Sequence, residues 1–370
     1  MKSATRKYVE LGAFSLLAIA ILWWFGRHLD WAEVRGSVGR ANPYLLGLAL
    51  VVICTTYFIR AARWSALLAP LSPASLRNLF IATTVGFGAL FVFGRMGEVV
   101  RPLVLPMRDP RIRPSASFAT IMVERIYDTL AVAVFFAANL IWMKPPASLA
   151  IEFNRVRVVG FLMLTAVLAG VFGMMVFRKN SRMWIKWLHT NLEGRRFIPA
   201  KLTQAVSHLL EQLARALRVL VNARELAVTI GWTILLWAGI GLGNWLVLRA
   251  FGLHFGVAQT VFVLGWAVVG SLVPTPGGAA GAFHAATAGA LIFLGVGREN
   301  AAAISIVLHL VDFGPALLVG LIYILRGDVN VRNLSAKAVS EDVPNEIEIE
   351  EVVPADPFNE NQLHKVVARN

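Results

Sequence analysis

Three sets of polar residues stand inside stretches that are otherwise apolar. The first is Glu124, Arg125 and Asp128, in Val123-Glu124-Arg125-Ile126-Tyr127-Asp128. On a helix, Glu124 and Asp128 are four apart and share a face, with Arg125 three before Asp128. At 1.5 Å per residue, a helix starting near Ser117 carries Asp128 roughly 16 Å along its axis, about mid-depth in a bilayer. Charges at that depth are costly, turn toward the protein interior and mark paths for substrates or ions. The second set is Arg95, Glu98 and Arg101, in Gly94-Arg95-Met96-Gly97-Glu98-Val99-Val100-Arg101-Pro102. Arginine holds phosphate through two parallel hydrogen bonds, and broken helix ends add backbone N–H donors, so a phosphate-bearing lipid head group suits this set. The third set is His309 and Asp312, three apart on an apolar helix, a pair able to relay a proton or to switch near neutral pH. Each set also has a plain structural alternative: an ion pair that orders the bundle, arginines that snorkel to the interface, and a satisfied buried His–Asp pair.

One of these sets, the second, lies within a glycine-rich break. Gly94 and Gly97 interrupt its apolar stretch, and Pro274-Thr275-Pro276-Gly277-Gly278-Ala279-Ala280-Gly281 interrupts another, shortly before Phe283-His284. Lipid cannot satisfy free backbone N–H and C=O groups. Broken helix at membrane depth therefore survives only when buried in protein or lining a wet cavity. Gly277 and Gly278 permit close approach of another group, although Gly277 and Gly281 also fit plain helix packing of the small-xxx-small kind.

The elements that must position these residues are apolar runs at 11–25, 43–59, 117–143, 158–177, 226–250 and 301–325. Roughly 20 residues cross the hydrocarbon core, so the two shortest runs are expected to extend into their flanks. Regions 79–105 and 258–294 read as hairpins split by the breaks, with arms of about 15 residues, too short to span and therefore re-entrant. The expected fold is an all-α polytopic membrane protein with about six full transmembrane helices and two broken hairpins. Its divisions are 1–42, an N-terminal helix and loop; 43–143, a first membrane repeat; 144–225, a connecting span and a basic amphipathic segment; 226–325, a second repeat; and 326–370, a disordered acidic tail. With the N-terminus in the cytoplasm, the two repeats have the same element order and opposite orientation. Such inverted repeats with discontinuous helices are a transporter architecture, with the site at their interface. The positive-inside rule agrees with this orientation, placing 24 basic residues on the cytoplasmic side and 8 on the other.

Composition supports a membrane protein. Of 370 residues, 57% are hydrophobic and 15% charged, with mean hydropathy +0.65. The net charge of +13 follows the membrane sidedness rather than a nucleic-acid face. The single cysteine, Cys54, excludes disulfides within the chain, and the seven scattered histidines lack zinc-site spacing. The first run ends in Trp23-Trp24-Phe25-Gly26-Arg27, an aromatic-belt ending, so a retained helix is expected rather than a cleaved signal. Leu202, Val206, Leu209, Leu213, Leu217 and Leu220 share one face of the basic segment, which suits either an anionic leaflet or the bundle surface. No cofactor or metal is expected.

Together, Gly97-Glu98 with Arg101, Glu124-Arg125 with Asp128, and Pro274-Thr275-Pro276-Gly277-Gly278 resemble three motifs, in order, of the membrane domain of lysylphosphatidylglycerol synthases and its stand-alone, flippase-like relatives. The likeness spans roughly residues 10–325. It implies an integral membrane fold that moves lipid head groups across the bilayer. The family commonly has a glutamate after the second turn, where this chain has Phe283-His284, and no acyl-transferase region follows Leu325. Lysine transfer is therefore not expected. The resulting expectation is a non-enzymatic, flippase-like carrier of a phosphate-bearing lipid, either phospholipid or polyprenyl phosphate, in a bacterial inner membrane with both termini cytoplasmic. Arg95, Arg101 and Arg125 would hold the phosphate; Glu98, Glu124 and Asp128 would balance it or carry protons; His284, His309 and Asp312 would form the opposing half-site. Rival readings are an integral-membrane enzyme acting on lipid phosphates and a scaffold for a lipid-modifying enzyme. Expected partners are membrane lipids, with a second copy or such an enzyme as candidate protein partners and no nucleic acid.

Overall fold

The computed structural model describes residues 27, 29–69, 71–143, 150–180, 183, 223–273 and 279–329. The first apolar run, most of the basic segment, the turn holding Gly277 and Gly278, and the acidic tail lie outside them. All regular structure among the described residues is helical: α1 Trp31–Arg40, α2 Pro43–Leu68, α3 Leu76–Phe93, a 3-10 turn Gly94–Val99, α4 Val100–Arg108, α5 Pro114–Trp142, α6 Ala150–Lys179, α7 Ala223–Ala250, α8 Val257–Ser271, α9 Ala280–Phe293 and α10 Arg298–Leu325. Five described helices, α2, α3, α6, α7 and α10, are long and apolar enough to cross a membrane. The 29-residue α5 is of comparable length and has Asp128 at its centre. The chain is thus an all-α polytopic membrane protein.

Local sequence explains where several helices begin. The Asn42 side chain accepts hydrogen bonds from the Tyr44 and Leu45 N–H groups, and Pro43 takes the first turn, where its missing N–H costs nothing. Asp30 caps α1 and Ser75 caps α3 in the same way. Between α4 and α5, Asp109 accepts from the Arg111 guanidinium at 2.7 and 2.8 Å. That contact holds its carboxyl below the usual range, burial pulling the other way.

Small residues set the helix spacing. A Cβ on Gly243 would stand 2.6 Å from Ile53, so α7 packs directly on α2. A Cβ on Gly320 would meet the Thr84 carbonyl at 2.8 Å, and one on Gly88 would meet the Ala316 carbonyl at 3.2 Å, which brings α3 and α10 backbone to backbone. The packed pairs follow a pattern. α2 contacts α7, α3 contacts α10, and α8 contacts α5; α3–α4 and α8–α9 each form a hairpin; α4 packs on α5 as α9 packs on α10.

Both breaks are present, but the first is not built as expected. Its arms are unequal, 18 residues in α3 and 9 in α4, joined by six residues of 3-10 helix. Eighteen residues reach about 27 Å, nearly the hydrocarbon thickness, so α3 is not a short arm. Gly94 has φ 62° and ψ −148°, a conformation that side chains disfavour. Gly97 lies against the Ala89 carbonyl and the Leu90 nitrogen, where a Cβ would overlap backbone. The arms of the second hairpin are nearly equal, at 15 and 14 residues, and Gly270 presses on Ala282 and Phe283. A second difference concerns α2, which continues nine residues past Ile59 to Leu68. Arg60 and Arg63 therefore belong to a helix, not to a cytoplasmic loop.

Candidate functional site

The charge cluster is assembled from three helices. α5 contributes Glu124, Arg125 and Asp128, α4 contributes Arg101, and α2 contributes Arg63 one turn beyond Arg60. The Arg63 guanidinium donates to both oxygens of Asp128, at 2.6 and 3.1 Å, and stands 3.1 Å from Oε1 of Glu124. That same Glu124 oxygen accepts from Arg101 at 2.6 Å and from Arg125 at 3.0 Å. Arg125 also stands 3.3 Å from Asp128. Arg63 and Glu124 are fully buried, and Arg101 and Asp128 nearly so. Buried charges endure only when paired and hydrogen-bonded, and this cluster meets that condition by sharing two carboxylates among three guanidiniums.

Aromatic rings hold the arginines in place. The Arg101 guanidinium lies 4.2 Å from the centre of the Trp64 ring, and the Trp64 indole N–H donates to Thr120 at 3.0 Å. Arg60 lies 4.5 Å from the centre of the Phe87 ring. Asp128 is its foremost acidic neighbour.

A cavity of about 320 Å³ opens beside the cluster. Arg60, Arg101, Arg125, Asp128, Glu98 and Asp312 all reach its wall. So do Gly94 from the first break and Ser271, Leu272 and Ala279 from the flanks of the second. Several atoms of these residues and of the cluster are buried without a hydrogen-bond partner in the chain: Nε of Arg60, Nε and Nη2 of Arg101, Nε of Arg125, the indole N–H of Trp237 and Oε2 of Glu124. The rest of the lining is chiefly apolar, including Ile53, Phe87, Val132, Phe136 and Leu264. An opening of this size lies at the lower end of ligand-pocket volumes.

Of the residues singled out in sequence, Glu98, Arg101, Glu124, Arg125, Asp128 and Asp312 are brought to the cavity or the cluster behind it. His284 and His309 are not on the cavity wall. Their rings pack on each other at 5.0 Å, among Phe91, Phe283 and Phe313. His309 thus has an aromatic setting on α10. Asp312 is held by the Asn244 amide N–H, at 3.2 and 3.4 Å from its two oxygens. Gly277, Gly278 and the Arg95 side chain lie outside what the structure describes.

The sequence profile described as "Lysylphosphatidylglycerol synthase TM region" matches residues 12–320. The chain belongs to that family. It is also 22% identical over 341 residues to the UPF0104 membrane protein PH1989 of Pyrococcus horikoshii, an alignment covering 87% of this chain and 97% of that one. A shorter match, 30% over 135 residues, covers 34% of this chain and 20% of the glycosyltransferase AglD of Haloferax volcanii.

Sequence reasoning missed Arg60, Arg63, Trp64 and Asn244. A signal for the first three was present: Arg60, Arg63 and Trp64 are spaced i, i+3, i+4, so they share one face if the helix continues. Asn244 sat unremarked in an apolar helix, where an amide needs a partner as much as a charge does.

Proposed function

We propose that this family member carries a phosphate-bearing lipid, phospholipid or polyprenyl phosphate in type, from one leaflet to the other. The observation carrying this reading is the cavity that the flanks of both breaks border, with the guanidinium-bearing residues Arg60, Arg101 and Arg125 on its wall. A phosphate oxygen is the natural acceptor for such donors, and bidentate geometry favours it over other anions. Arg60, Arg101 and Arg125 hold the phosphate. Glu124 and Arg63 stay behind the wall and set the positions of Arg101 and Asp128.

The packing of α2 on α7, and of α3 on α10 as α8 packs on α5, supports an inverted repeat whose halves move against each other around the site. The reading places the chain in a bacterial inner membrane with cytoplasmic termini. Moving Arg60, Arg63 and Arg101 from loops into the protein lowers the cytoplasmic count of basic residues from 24 to 21, still well above 8.

The reading is transport without bond-breaking. The test is reconstitution in proteoliposomes with head-group-labelled phosphatidylglycerol and undecaprenyl phosphate, following loss of the inner-leaflet label. Wild type moves at least one of these lipids, and Arg101→Ala and Asp128→Asn move it at least tenfold more slowly while staying folded. Equal rates in all three remove the assignment. Metal-dependent product formation from either lipid in detergent would favour an enzyme instead.

A further inference from the structure

We infer that Asp312 is a proton-binding site coupled to the anionic guest, so that each phosphate moves with a proton; the inference rests on the phosphate reading above. Charge balance is the starting point. The described charged groups on the cavity wall are Arg60, Arg101, Arg125, Glu98, Asp128 and Asp312, with Arg63 and Glu124 directly behind. Among the described groups, four positive and four negative charges balance in the empty site. A phosphodiester adds one negative charge to a confined, largely apolar space, where an uncompensated charge is costly. A proton restores the balance.

The structure narrows which carboxylate takes it. Glu124 faces three guanidiniums, and Asp128 is gripped on both oxygens by Arg63. Glu98 lies within the electrostatic reach of Arg125. Asp312, among the described residues, has no guanidinium within ion-pair distance. Its carboxylate meets the neutral Asn244 amide, which suits either protonation state: the NH₂ donates to a carboxylate, and the carbonyl accepts from a carboxylic acid. That carbonyl, Asn244 Oδ1, is buried and accepts no hydrogen bond. The Tyr57 hydroxyl donates to the Asp312 backbone carbonyl at 2.6 Å and fixes the position.

Arg60 supplies the coupling. It lines the same cavity, and its field reaches both Asp128 and Asp312. When a phosphate occupies the Arg60 donors it offsets that positive charge at Asp312, and the carboxylate holds a proton more firmly. By linkage, protonated Asp312 then favours phosphate to the same degree. The titratable and polar groups around Asp312 are Tyr57 and Arg60 on α2, Asn244 on α7 and His309 one turn earlier on α10. His309 in turn meets His284 on α9.

The test is calorimetric titration of the full chain, in detergent, with short-chain phosphatidylglycerol. This probe is a diester monoanion whose own charge is constant through the neutral range. Binding is measured at several pH values and in two buffers of different ionisation enthalpy, which reports proton uptake. Wild-type affinity tightens up to about tenfold per pH unit on acidification, with close to one proton taken up per lipid. Asp312→Asn binds with one fixed affinity and takes up no proton. Asn244→Leu, which keeps the carboxylate, displaces the pH at which uptake occurs, and His309→Asn keeps the slope. Lipid binding without pH dependence in wild type overturns the inference and leaves the phosphate reading intact. A slope that survives in Asp312→Asn and vanishes in His309→Asn overturns it in favour of the histidines. No binding at any pH overturns the phosphate reading for this lipid and the inference with it.

Discussion

Replacing Arg63 with methionine tests how strongly the charge cluster holds α2, α4 and α5 together. Arg63 is fully buried and grips both oxygens of Asp128, at 2.6 and 3.1 Å, while standing 3.1 Å from Glu124. Removing one partner of a buried pair costs about 3–5 kcal/mol, because the other charge is left uncompensated. Two contacts moderate that figure here. Glu124 keeps Arg101 at 2.6 Å, and Asp128 keeps Arg125 at 3.3 Å. The Arg125 side chain is 36% exposed, however, so solvent weakens what it can replace. Methionine fills much of the vacated volume, which limits the cavity contribution. The expected loss is about 3 kcal/mol, the lower end of the range. The assay is equilibrium unfolding in mixed micelles, followed by tryptophan fluorescence, for Arg63→Met, Asp128→Asn and the double variant. The double should be less damaged than the sum of the singles by at least about 1.5 kcal/mol, as expected for groups in direct contact. A loss under about 1 kcal/mol for Arg63→Met, or additivity within about 0.5 kcal/mol, would show that the cluster does not bind these helices together.

Three further outcomes follow from the geometry. Gly97→Ala forces a methyl into the Ala89–Leu90 backbone and should cost about 1–3 kcal/mol, seen as a lower melting temperature, whereas Gly39→Ala, with open space around it, should not. Cys54 is exposed on α2 and is the sole cysteine, so it should react with a lipid-soluble maleimide and resist a membrane-impermeant one; rapid labelling by the latter would place that face in water. Arg111 holds the Asp109 carboxyl below its usual value of 3.8, so this contact stabilises the fold above that value and is lost as pH falls through the lower, folded one. Wild-type stability should therefore drop more steeply than that of Asp109→Asn between about pH 5 and pH 3, and parallel curves would show that the contact contributes nothing.

What the sequence made legible was whatever a single helix decides for itself. The span of α7, the start of α2 at Pro43 and the Glu124–Asp128 face all follow from local composition and a 3.6-residue period. The breaks were legible for the same reason, since glycine and proline announce where a helix cannot continue. What stayed hidden depends on partners distant in sequence. Arg60 and Arg63 look like the end of a span, because an arginine normally marks the interface. Only Glu124 and Asp128, on another helix, make burial of Arg63 tolerable. The spacing of His309 and Asp312 gave no sign of their distant neighbours, the aromatic rings around the one and the Asn244 amide beside the other. The unequal arms of the first hairpin were hidden as well. Hydropathy reads α3 and α4 as one apolar stretch and is blind to the 3-10 turn that Gly94 and Gly97 allow.

The most direct measurement is an experimental density map of the protein in nanodiscs containing phosphatidylglycerol and undecaprenyl phosphate. A phosphate within hydrogen-bond distance of Arg101 and Arg125, with lipid tails leaving between the two breaks, is the predicted result. Density confined to the outer surface, around a cavity closed off from one of the breaks, would contradict it.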